Sequence, residues 1–229
     1  MHADVFRAWI VTAAEVIEAN RDHLTQLDAA IGDADHGINL ARGFAAVLGA
    51  LDAAPPGTPG AVLTLTGNTL ISKVGGASGP LYGTAFRRAG KALGDAADVD
   101  LPALSAALDA ALAGVQQLGA AREGDKTMVD ALAAATRAFG KAIAEGASAD
   151  EALDALTQAA EAGAEATISM QALKGRASYL GPRSVGHEDP GAASTALILG
   201  ALRDAARTAR LPRCGANRRT WVAQAAHRP

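Results

Sequence analysis

The chain has 229 residues and a net charge of −3, with a pI near 5.9. That length suits one domain with a full core, and the acidic balance excludes the usual nucleic-acid binder. Aromatic residues make up only 3%, too few for base-stacking platforms. The lone Cys214 forms no internal disulfide, and neither a basic-then-apolar leader nor an apolar run near about 18 residues is present, so a soluble cytoplasmic protein without a membrane partner is expected.

Alanine dominates, and apolar residues recur at three- and four-residue intervals, which predicts helices packed through small side chains. The first helix is predicted over 4–28 and runs into Asp28-Ala-Ala-Ile-Gly-Asp33-Ala-Asp35-His36-Gly37. Three carboxylates and an imidazole within nine residues repel one another and resist burial unless a cation joins them. Hard oxygen donors without cysteine point to Mg²⁺ or Ca²⁺ over Zn²⁺, and the spacing does not match the twelve-residue calcium loop. A solvated acidic turn is the competing reading.

The next helices are predicted over 38–53 and 59–73, the latter opened by Thr58-Pro59 as cap and first-turn proline. Gly75-Gly-Ala77-Ser78-Gly-Pro80 then leads into a helix over 80–94. Small residues let backbone N–H groups approach an anion at a helix start, although a tight turn uses the same residues. A helix over 101–119 is followed by Gly124-Asp125-Lys126-Thr127-Met128-Val129-Asp130, entering a helix over 126–145. There Asp125 reads as the cap, with Lys126 and Thr127 exposed in the first turn. Met128 serves either the core or a soft surface for a flat ring.

Ser148-Ala-Asp-Glu151 is a capping box for a helix over 149–172. The connection over 173–190 lacks helical periodicity, carries Lys174, Arg176 and Arg183, and is long enough to be functional. Its His187 reads as a loop hydrogen-bonding residue. Asp189-Pro190 opens a last helix over 191–210, and 211–229, with four arginines, reads as a mobile tail. The eight helices with mostly short connections form an all-α, up-and-down bundle in one domain, 1–210. The carboxylates, the glycine-rich loop and the arginine-bearing loop all fall at helix ends. They are the parts of a Mg²⁺–nucleotide site.

Four segments, 31–37, 74–84, 124–130 and 175–192, resemble in order the L subunit of bacterial dihydroxyacetone kinase, and the resemblance runs from about residue 4 to 210. It implies a barrel of eight antiparallel helices with ADP or ATP at one rim and two Mg²⁺ ions. Asp28, Asp33 and Asp35 then match the metal ligands. His36, Gly37, Ile38 and Asn39 match the stretch beside the phosphates, and Ala77 and Ser78 the phosphate loop. Gly119 and Met128 match the adenine pocket, while Arg176, Asp189, Pro190 and Gly191 complete the nucleotide contacts. No general base or nucleophile is assigned in this chain.

The resemblance further implies a phosphotransferase-system M subunit that rephosphorylates bound ADP, and a K subunit that holds dihydroxyacetone. The alternatives are an ATP-dependent L component for another short ketose and a nucleotide-dependent module that binds a transcription regulator. Glu188 stands where glutamine is common in the family, and the 211–229 tail has no counterpart.

Overall fold

Small and apolar residues at helical spacing build nine α-helices in the computed structural model, which describes residues 1–210; the predicted tail lies outside them. The helices are α1 (Ala3–Ala19), α2 (Arg21–Ile31), α3 (His36–Ala53), α4 (Pro59–Lys73), α5 (Ser78–Leu93), α6 (Leu101–Gly119), α7 (Met128–Ala144), α8 (Ala149–Ala166) and α9 (Pro190–Arg210). No strand occurs among the described residues, and no helix there is long and apolar enough to cross a membrane.

α1 packs on α3, α3 on α4, and the series continues through α9, which returns to α1. Eight helices therefore close a barrel, and α2 lies outside that ring against α3 and α9. From α3 to α8 short connections make successive helices antiparallel, and the longer span 167–189 returns the chain to the rim where α9 starts. The barrel is filled by side chains such as Phe6, Phe44, Phe139 and Leu40, all fully buried. Burial of residues this size contributes roughly 1.5–3 kcal/mol each. Trp9 sits 5.6 Å from Phe86, and its indole N–H donates to Ile198 O at 2.8 Å, tying α1 to α9.

The alternation of direction positions the site. α3, α5, α7 and α9 start at one rim, where α2, α4, α6 and α8 end. The helices α4, α6 and α8, which start at the far rim, carry side-chain caps: Thr58 accepts from Ala61 N, Asp100 from Ala103 N and Ser148 from Glu151 N.

The largest departures from expectation are three. The first helix is broken at Asn20, whose side-chain amide donates to Val16 O beside the last helical N–H bond; this side-chain bond competes with continued helix. α8, expected over 149–172, stops at Ala166, because Thr167 turns its hydroxyl back to Ala164 O and the chain tightens into a 3-10 turn, Thr167–Ser169. The 173–190 connection is not structureless: it holds a 3-10 stretch, Arg176–Ser184, kinked at Gly181 before Pro182.

Candidate functional site

At the rim where α2 ends and α3 begins, ligand atoms of Asp28, Asp33 and Asp35 lie within 4.8 Å of one another. Asp28 is buried, and its Oδ2 accepts from Asp35 N at 2.8 Å and His36 N at 3.1 Å. One carboxylate thus fixes the turn that carries the other two and leaves its own Oδ1 for a cation. Gly32 is required here: a Cβ would lie 2.0 Å from Asp28 Oδ1. Ala34 takes φ +60° to set Asp33 and Asp35 on one side. Three oxygen donors at this separation fit a hard dication and lack the sulfur or multiple imidazoles of a zinc site. Across the rim, Arg176 Nη2 lies 3.1 Å from Asp33 Oδ2.

His36, the first residue of α3, joins three helix starts. Its Nδ1 is 3.0 Å from Ser78 Oγ on α5, and its Nε2 is 2.8 Å from Ser194 Oγ on α9. Ser194 donates to Pro190 O at 2.8 Å, so its oxygen accepts from Nε2–H, and Ser78 donates to Nδ1. Burial lowers the His36 pKa against the pull of Asp28 and Asp35, consistent with this neutral ring. Tyr82 completes the cluster, hydrogen-bonded to Gly191 O, Ser194 and Thr195, and burial pushes its pKa up.

A cavity of about 290 Å³ lies among these groups. His36, Ser78, Met128 and Pro190 all line it, so the N-termini of α3, α5, α7 and α9 converge on one space. Each helix start carries the equivalent of roughly +0.5 charge, which favours a polyanion there. α7 is closed by a capping box between Thr127 and Asp130, and α9 by Asp189, which accepts from Ala192 N at 2.7 Å. α5 differs: Ala77 offers no side-chain cap, and Ser78 is engaged by His36. The first-turn N–H groups of α5, and those of α3 beyond His36, where Asp35 gives no side-chain cap, are the ones open to an anion. The opposite wall is apolar, made by Leu81, Val115, Gly119, Ala121, Met128 and Val129, a lining suited to a flat ring.

The residues expected at the site divide clearly. Asp28, Asp33, Asp35, His36, Ala77, Ser78, Gly119, Met128, Arg176, Asp189, Pro190 and Gly191 all line the cavity. Gly37, Ile38 and Asn39 do not. Gly37 serves packing, since a Cβ would lie 2.0 Å from Arg21 O. Ile38 is exposed, and Asn39 is turned toward Arg42, which donates to its Oδ1 at 2.8 Å. His187 meets Lys126 through its backbone carbonyl, a contact that does not involve its imidazole.

Lys126 and Thr127 overturn their expected placement. α7 starts at Met128 with Thr127 as cap, and Asp125 is not its cap. Lys126 takes φ +61°, and its side chain is buried at the cavity base, where Nζ donates to Thr167 O at 2.5 Å and to His187 O. Sequence reasoning missed Lys126, Tyr82, Ser194 and Thr195 as parts of the site. Their signal is long-range bonding, which periodicity does not report.

Burial raises the Asp189 carboxyl from 3.8 to about 7, against the Ala192 N–H and Lys126. The folded state therefore holds this proton to higher pH than the unfolded chain. Its contribution to stability is full below about pH 4 and fades as pH rises through 7. In metal-free protein, Asp189→Asn should lose less stability than the parent between pH 5 and 7.5. Urea midpoints at both values check this, and parallel curves would refute it.

Fold and site together define an all-helical barrel whose one rim is built for a metal-bound polyanion attached to a flat apolar group. The DAK2 domain model matches residues 30–204. The chain is 42% identical over 199 residues to the PEP-dependent dihydroxyacetone kinase, ADP-binding subunit DhaL, of Escherichia coli, covering 87% of this chain and 95% of that protein. It is 40% identical to PEP-dependent dihydroxyacetone kinase 1, ADP-binding subunit DhaL, of Listeria innocua, covering 85% and 92%. Among solved structures, the dihydroxyacetone kinase from C. freundii in complex with AMP-PNP and Mg²⁺ superposes with a TM-score of 0.64 at 30% identity, covering 88% of this chain. The chain spans about a third of that kinase's length, 33%. It belongs to the DAK2 domain family.

Proposed function

We propose that this chain is the ADP-binding subunit of a dihydroxyacetone kinase, a phosphotransferase component of the cytoplasm. It would receive phosphate on bound ADP from a phosphotransferase-system M subunit and pass it to dihydroxyacetone held on a K subunit. The observation that carries this reading is the carboxylate triad beside the uncapped start of α5, in a chain alike over 95% of the length of an ADP-binding subunit. Asp28, Asp33 and Asp35 would hold Mg²⁺, which supplies charge neutralisation at the phosphates. The N–H groups of Ala77 and Ser78 would receive a phosphate, Gly119 and Met128 the adenine, and Pro190 and Gly191 would border the nucleotide. Arg176 reaches the same acidic cluster from the covering loop and is placed to balance phosphoryl charge. The chain's work is positioning and electrostatics; the substrate hydroxyl is activated on the partner.

The test is transfer of labelled phosphate from phosphoenolpyruvate, through the M subunit and this protein, to dihydroxyacetone on the K subunit. Turnover driven by free ATP, with no gain from the M subunit, would overturn the donor assignment. In the same assay Arg176→Lys should keep most ADP binding yet slow single-turnover transfer at least about tenfold, because lysine lacks the planar two-pronged donor. An unchanged rate would remove Arg176 from the machinery.

A further inference from the structure

The span 167–189 covers the cavity and carries Arg176 to Asp33. Its two feet meet each other: Asp189 N donates to Thr167 Oγ1 at 2.9 Å, and Gly186 N to Ile168 O at 2.7 Å. Both feet also meet one side chain. The ammonium of Lys126 donates to Thr167 O at one foot and to His187 O at the other. From the same turn, Asp125 O accepts from Leu173 N at 3.1 Å. Asp130 holds that turn in place, accepting from Gly124 N and Thr127 N.

We infer that Lys126 is a positioning residue for the covering span, and that by fixing both feet it sets how long a nucleotide stays beneath. The inference rests on the reading that this rim holds ADP. Three observations converge on it. Lys126 is 1% exposed, a position a lysine seldom occupies without partners. Its partners are carbonyls from two separated points of the chain, whereas a space-filling lysine needs only one. Its backbone is left-handed at φ +61°, a conformation that persists in a non-glycine residue only where the surroundings enforce it. Two charge-assisted hydrogen bonds to the covering span are stronger than the neutral bonds around them.

The experiment compares the parent protein with Lys126→Met, which keeps the stem and removes the donors. Each is loaded with radiolabelled ADP in Mg²⁺ and chased with unlabelled ADP. Lys126→Met should release label at least about tenfold faster, and its loss of transfer at saturating ADP should be the smaller of the two effects. Equal release rates, or a transfer loss as large as the gain in release, would overturn the inference. A parent that itself releases ADP within seconds counts against the nucleotide-holding function, and a second measurement then decides the role of Lys126. Hydrogen exchange without nucleotide should show Leu173, Gly186 and Asp189 amides losing protection together in Lys126→Met, with α1–α6 unaffected. Unchanged protection overturns the inference whatever the nucleotide result. Should Lys126→Met not fold, the parent's own exchange serves: those three amides must share one opening free energy, and separate openings overturn the inference.

Discussion

Asp33→Asn and Asp35→Asn are each expected to weaken Mg²⁺–ADP binding by more than about a hundredfold while the barrel remains folded. Each removes a full negative charge from a set whose ligand atoms lie within 4.8 Å of one another. A retained ligand geometry without that charge loses its Coulombic attraction to the dication. The same change relieves like-charge repulsion in the metal-free protein, so its melting temperature should stay level or rise, while stabilisation by Mg²⁺–ADP disappears. Calorimetric titration and thermal melts check both halves. Parental affinity in either variant would remove the triad from the metal site. Asp28→Ala should differ: it also removes the acceptor of Asp35 N and His36 N, so it costs stability as well as binding.

The second large effect concerns exchange. A subunit that keeps ADP as a fixed cofactor should carry it through gel filtration in Mg²⁺ buffer and yield it only to a chelator. Retention over tens of minutes requires dissociation slower than about 10⁻³ per second, hence a dissociation constant of roughly nanomolar or below at ordinary association rates. Bound radiolabelled ADP chased with excess unlabelled ATP should remain bound on that scale. Exchange within seconds would favour a component that draws on free ATP. Arg176, paired with Asp33 from the far side of the cavity, is the covering contact whose presence makes slow exchange the expected result.

Much of the barrel was legible in the chain because local chemistry repeats at its helix starts. Thr58-Pro59 and the Ser148–Glu151 box mark α4 and α8 within a residue, and the carboxylates of 28–35 stand close enough in sequence to meet without knowledge of the fold. Asn20 was not legible as a break, since apolar spacing runs straight across it and the break shows only in its bonding to Val16 O and its non-helical backbone. Lys126 was misread for a different reason. Its environment is supplied by residues 41 and 61 positions away, and no local pattern reports such partners. Gly37 shows the converse: it lies between site residues in sequence, yet the Arg21 backbone accounts for it.

The start of α5 has a consequence for how stability and binding share this molecule. α4, α6 and α8 are finished by their own side chains, so their first turns are as firm in the empty protein as in the filled one. α5 has no such residue at Ala77, and a phosphate oxygen would do there what a serine or aspartate does elsewhere. The chain thus encodes an incomplete secondary structure whose last part arrives from solution. The firmness of the first turn of α5 would then follow whether that oxygen is present.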